Sequence, residues 1–142
     1  MRRAYVVFAA MMAILIGAIY WLRDPAWLAT VESGFGQWQV DAEQTKYRWT
    51  AGRASFFVPS STSEIRIPVR PGRETEGWPI IVTISVDDRV VDQFSLTSNV
   101  WHVSRVRLPP PGSRHVRRID IHVDRTIDGS RGVQVGELQE SR

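Results

Sequence analysis

The chain has 142 residues, 23% charged and 43% hydrophobic, a globular composition that excludes general disorder. Its 18 basic and 15 acidic residues give a net charge of +3, and Arg2, Arg3 and Arg23, which flank an apolar N-terminal run, account for all of it. The rest of the chain is neutral, which excludes a whole-domain nucleic-acid footprint, and the absence of cysteine excludes disulfides, thiol nucleophiles and cysteine metal sites.

Residues 4–22 form an uncharged apolar run of 19. As a helix it spans roughly 28 Å, close to the hydrocarbon thickness of a bilayer. Arg2 and Arg3 precede it, so the positive-inside rule places the N-terminus in the cytoplasm. Tyr20 and Trp21 lie at the far end, where aromatic rings favour the interface. A cleaved signal peptide is the competing reading. Such peptides have shorter apolar cores and small residues at the cleavage position, whereas here Ile19, Tyr20, Trp21 and Leu22 are bulky. Retention as a signal anchor over 1–23 is therefore the expectation. Asp24-Pro25 reads as an N-cap followed by a first-turn proline, so the juxtamembrane linker 24–44 is expected to hold a short helix through Glu32, ended by Gly34.

Beyond Gly34 the apolar period becomes two. Strands are expected over 46–50, 54–58, 64–70, 80–86, 90–96, 101–108, 116–123 and 132–138. In 64–70, Ile65, Ile67 and Val69 point inward, and Pro68 on the outward set marks an edge or bulged strand. Asp87-Asp88-Arg89 turns 80–86 back into a hairpin. In 116–123, Ile119, Ile121 and Val123 point inward while Arg118, Asp120 and His122 face water. The tail 139–142 is polar and reads as flexible. Short strands at close spacing with no room for helical crossovers predict an all-β fold, an antiparallel β-sandwich of jelly-roll type over 45–138, preceded by a single N-terminal transmembrane helix.

No set of residues reads as catalytic. The three histidines lack metal-ligand spacing, no G-x-S-x-G or phosphate-binding loop is present, and Asp87-Asp88 is an exposed turn. No cofactor and no metal are expected. The 17 arginines against the single Lys46 read first as the coding bias of a GC-rich genome. What stands out is six tryptophans. Trp49 and Trp101 read first as core residues, while Trp78 lies in a polar loop and reads as exposed. The candidate ligand contacts are Trp78, Trp101, His102 and Arg131, because a stacking ring with nearby donors is what sugar recognition needs.

Tyr47-Arg48-Trp49-Thr50, the segments 54–59, 82–91 and 101–109, Asp124-Arg125-Thr126 and 132–136 carry a resemblance. In that order they are similar to a β-sandwich module found at the C-terminal end of some bacterial membrane glycosyltransferases and in small anchored envelope proteins. Two departures stand out: Asp88 where the family's hairpin has glycine, and a short closing loop over 128–132. The resemblance implies a non-catalytic, carbohydrate-related role at a membrane. The expected partners are the lipid bilayer through 4–22 and carbohydrate or an envelope protein, with docking on a larger membrane glycosyltransferase as the alternative. The expected location is the inner membrane, with the domain on the periplasmic side and no nucleic acid involved.

Overall fold

The computed structural model describes residues 2–22, 25–73, 79–110 and 114–141. One α-helix, α1 (Arg2–Leu22), and a 3-10 turn (Ala26–Thr30) precede ten strands: β1 (Glu32–Phe35), β2 (Gln39–Val40), β3 (Lys46–Pro59), β4 (Glu64–Arg70), β5 (Ile80–Val86), β6 (Arg89–Leu96), β7 (His102–Arg107), β8 (Val116–Val123), β9 (Gln134–Gly136) and β10 (Gln139–Ser141). Every strand pairing is antiparallel.

The strands form two layers joined through β3. Its residues 53–59 pair with β8, and its residues 47–49 pair with β9. The first layer therefore runs β1-β3-β8-β5-β6, and the second runs β2-β3-β9-β4-β7, with β10 continuing β9 along β4. The two strands expected over 46–50 and 54–58 are thus one strand of 14 residues. Gly52, between them, does not break it, because both ends are held by ladders. Ile65, Ile67, Val69, Ile84, Ile119 and Ile121 are completely buried between the layers, as alternation requires.

Four sequence expectations change. The strand 64–70 is interior rather than an edge, since β4 pairs with β7 on one side and with β9 and β10 on the other. Pro68 is tolerated because the break between β9 and β10 falls alongside it, where its missing amide leaves no ladder bond unmade. The tail residues Gln139–Ser141 pair with Glu64–Arg66 instead of fraying. The expected helix through Glu32 is only the 3-10 turn, because Glu32 is drawn into β1 opposite Phe56. Asp120 points outward yet is 3% exposed. Burial pushes its carboxyl up, but Ser55 Oγ at 2.6 Å and Arg118 Nε at 2.9 Å donate to it and, with Arg53, hold it below the usual range. The Asp87–Asp88 turn does form, with φ of 48° and 67°, the left-handed pair a two-residue hairpin demands.

The described side chains of α1, residues 5–19, are all exposed. Among the described residues no helix is long and apolar enough to cross a membrane. Arg23 and Asp24 lie outside the described residues.

Gly34 sets how β1 meets β3. Its φ is +72°, and a Cβ there would lie 2.1 Å from the Arg53 carbonyl oxygen. The irregular register between Ser33 and Phe35 falls at this point. Gly34→Ala is expected to destabilise the domain by about 2 kcal/mol or more, combining left-handed strain with a backbone clash. Thermal denaturation checks this; an unchanged midpoint would show that β1 is not held in this register.

Candidate functional site

Alternation along β3 turns Arg48 and Thr50 inward and leaves Tyr47 and Trp49 on the outer face of the second layer. Arg48 is tied to Glu32 by two charge-assisted hydrogen bonds, one of 2.8 Å from Nη2 to Oε1. Its guanidinium lies 3.8 Å from the Phe35 ring centre and 4.6 Å from that of Trp38. It closes one edge of the sandwich and takes no part in the outer face.

Register places the outer-face residues in a row. Trp49 lies opposite Gln134, and Gln134 lies opposite Arg70. Because Val69 faces His102, the position beyond Arg70 belongs to Trp101. Trp49, Gln134, Arg70 and Trp101 therefore cross four strands, a span of roughly 14 Å at the usual strand spacing.

Arg70 is the centre of this row. Its Nε donates to Gln134 Oε1 at 2.6 Å and its Nη2 to Asp41 Oδ2 at 2.9 Å. Its guanidinium lies over Trp101, 4.3 Å from the ring centre, and 5.3 Å from that of Tyr47. Asp41 is fixed in turn, accepting at Oδ1 from the amides of Glu43 and Thr45, both at 2.9 Å. The Thr45 amide is the main reason its carboxyl sits below the usual range; burial opposes the shift, and Arg70 and the Glu43 amide assist it. At the other end of the row, Arg131 lies 5.1 Å from the Trp49 ring centre and is paired with Asp128 at 2.7 Å. The Trp49 ring also abuts Gly72, where a Cβ would meet it at 2.3 Å.

Two clefts open on this face. One of about 390 Å³ is lined by Tyr47, Trp49, Arg70, Arg131 and Gln134 together with loop residues that include Asp41, Arg73 and Asn99. A neighbouring one of about 440 Å³ is lined by Trp101, Pro68 and Gly136 together with the turn residues Gln44 and Thr45. Asn99 Oδ1 and Trp101 Nε1 are buried with no hydrogen-bond partner. An orphaned buried polar atom costs free energy, so these two mark places where a partner is wanted. Among the described residues no group of three or more His, Asp or Glu side chains could hold a metal ion.

Of the sequence candidates, Trp101 and Arg131 fall on this face, at opposite ends of the row. His102 does not join them. It faces the other side of β7, its ring 4.2 Å from that of Phe94, as alternation after Trp101 dictates. Trp78 lies outside the described residues. Trp49 and Trp101, read first as core residues, are absent from the buried cluster and form the walls of the clefts. Tyr47, Arg70, Gln134, Asp41 and Asn99 were not anticipated. The available signal was the Tyr47–Trp49 pair at i and i+2, with Arg70 on the outward set of its own strand; their meeting depends on strand order, which no local pattern shows.

No protein-family model and no curated protein matches the chain. Solved structures do share its fold. The C-terminal domain of EclA, described as a sugar-binding protein, matches with a TM-score of 0.53 and 15% identity, covering 77% of this chain and 86% of that one. A family two carbohydrate esterase from Clostridium thermocellum, in complex with cellohexaose, matches with a TM-score of 0.52 and 9% identity over 78% of this chain. This chain spans only 31% of that esterase. A carbohydrate-binding module, CBM51 from Clostridium perfringens, matches at 0.49 and 12% identity, covering 79% and 93% of the two chains. At such identities the likeness is one of fold, and it rests on the first two: the chain is an antiparallel β-sandwich, a fold it shares with the EclA domain and with part of the esterase.

Proposed function

We propose that this protein binds carbohydrate on the outer face of its second layer, in the two neighbouring clefts lined by Trp49 and by Trp101. The observation that carries the reading is the row that sets Trp49 and Trp101 on either side of Arg70, whose guanidinium is fixed by Gln134 and Asp41. Flat aromatic walls with a few fixed hydrogen-bonding groups are the chemistry of a sugar site. The sugar-binding description of a fold relative agrees with this reading without deciding it. The reading is one of binding rather than catalysis, since Asp41, one of the two carboxylates that line the first of these clefts, is held by Arg70 at 2.9 Å.

We further propose that the run 4–22 anchors the domain in a membrane, with the sandwich on the periplasmic side. Tyr5, Phe8 and Ile14 are 74%, 67% and 72% exposed, and an apolar surface on every side of a helix calls for lipid. Docking on a membrane glycosyltransferase draws on the sequence resemblance alone, and nothing in the cleft chemistry calls for it.

Three outcomes are expected. Calorimetric titration of envelope oligosaccharides should show saturable binding, weakened about ten-fold, or ~1.4 kcal/mol, by Tyr47→Ala with little change in melting temperature. Flat titrations across such sugars would sink the reading.

Binding should also fail in acid. Asp41 is depressed in the folded state, so its contribution is complete above its unfolded value of about 3.9 and is lost as pH falls through the lower folded value. Affinity should be level from neutrality to about pH 4 and drop below it, and Asp41→Asn should weaken binding at every pH. A wild-type affinity that stays level down to pH 2 would separate the Asp41–Arg70 pair from the site.

Membranes washed with alkaline carbonate should retain the protein, and detergent should release it. Release by carbonate alone, or a mature N-terminus near Ala26 or Ala29, would overturn anchoring by 4–22.

A further inference from the structure

We infer that the side of the sandwich formed by β1, β2 and the 3-10 turn rests on the surface of a lipid bilayer, with Trp27 and Trp38 at the level of the headgroups. The inference rests on anchoring by residues 4–22 and deepens it, since it fixes which part of the domain meets the membrane. The two layers share β3 at one side. At the other side their last strands β6 and β7 meet, where Ser104 donates to Asp92 and the Phe94 ring lies 4.2 Å from that of His102. β1 and β2 therefore lie together beyond β3, each the outermost strand of its layer.

Chain length brings this side to the membrane. Four residue steps lead from Leu22, the last residue of α1, to Ala26, the first of the 3-10 turn, and they span at most roughly 14 Å. The turn packs on β3. It is braced by the Leu28 amide donating to the Pro25 carbonyl at 2.9 Å and the Thr30 hydroxyl donating to the Trp27 carbonyl at 2.7 Å. Trp27 is thus a fixed part of the domain and not of a free tether. In the first layer β6 lies four strand spacings from β1, roughly 19 Å further off.

The surface chemistry agrees. Trp27 is 63% exposed, Trp38 48% and Val40 54%. Gln39 lines the first cleft, so alternation turns Trp38 and Val40 away from the sugar face, and Trp38 lies against the guanidinium of Arg48. Among the described residues beyond α1, no other tryptophan, tyrosine or phenylalanine is exposed. The far side exposes Val90, Val91 and Val103 but no such ring, and it is tryptophan that favours the boundary between lipid and water. The acids at the near side are neutralised: Glu32 by Arg48, Asp41 by Arg70 and Glu137 by Lys46. Glu43 has no basic partner among the described residues, and it lines the first cleft. A bilayer is the occupant because the tether already holds it against this side, with no separate binding event. In this pose the row from Trp49 to Trp101 stands on end, Trp49 nearer the lipid, and both clefts open along the membrane surface.

The chain has no cysteine, so a single one can be introduced and labelled without background. Full-length Val31→Cys, Val40→Cys and Val90→Cys, each carrying a nitrobenzoxadiazole fluorophore, are reconstituted into nanodiscs of phosphatidylethanolamine and phosphatidylglycerol. A lipid with a nitroxide on its headgroup should quench the labels at 31 and 40, and aqueous iodide should quench them about five-fold less than the label at 90. Adding Trp27→Ser to Val31→Cys should raise iodide quenching about two-fold or more while the protein still co-elutes with the discs. Equal iodide quenching at all three positions, or protection from iodide without quenching by the nitroxide lipid, would overturn the inference; co-elution with the discs in that case would spare the anchor. Failure to co-elute would bring down the anchor and this inference with it.

Discussion

Strand β3 belongs to both layers of the sandwich, and the site follows from that constraint. A strand of 14 residues cannot change layers without a fixed crossing point. Here the crossing is held at Thr50. Its amide donates to the Val133 carbonyl at 2.8 Å, its carbonyl accepts from the Gly132 amide at 2.7 Å, and its hydroxyl accepts from the Val133 amide at 3.0 Å. Gly132 is needed for this approach, since a Cβ there would fall 2.5 Å from the Ala51 carbonyl oxygen. The same clasp fixes the residue just before Gly132, which is Arg131, over the ring of Trp49. Core geometry and cleft geometry thus share one set of backbone hydrogen bonds.

Alternation along β3 then divides two kinds of arginine contact. Arg48 turns inward, where Glu32 and the rings of Phe35 and Trp38 surround it. Tyr47 and Trp49 turn outward and meet Arg70 and Arg131. Lysine could not replace arginine at these places, because a compact ammonium has neither the planar face to lie on a ring nor the fork to hold two partners. The preference for arginine over lysine, which composition alone assigns to coding bias, therefore has a structural share at Arg48, Arg70 and Arg131. It has none that the structure shows at Arg89 or Arg107.

The legible part of the fold was its periodicity. The segments 64–70 and 80–86 alternate cleanly and bury the residues that alternation turns inward, and 116–123 does the same for Ile119, Ile121 and Val123 while also burying Arg117 and Asp120. The illegible part was pairing. Nothing local says that β4 is interior, that the polar tail continues β9 as β10, or that 46–58 is one strand, because each depends on a partner far along the chain. The site divided in the same way. Trp101 and Arg131 were visible as residue types suited to sugars, but their relation runs through Gln134 and Arg70, whose positions depend on cross-strand register. His102 was chosen for its chemistry and its closeness to Trp101 in sequence. On a strand, adjacent residues face opposite sides, and that geometry removes it from the cleft.

The placement of the row on strands has a consequence for how the cleft works. Trp49, Gln134 and Arg70 sit on β3, β9 and β4, each held in a ladder, and Arg70 is clamped further by Asp41 and Gln134. Such groups lose little conformational freedom when a ligand arrives, so their contacts translate into affinity with a small ordering cost. Arg73, Glu43 and Asn99 lie on the loops around the row. Loops accept substitution with less harm to the fold than strands do. The row is therefore the part suited to gripping a sugar ring of any kind, and the rim is the part suited to choosing among rings.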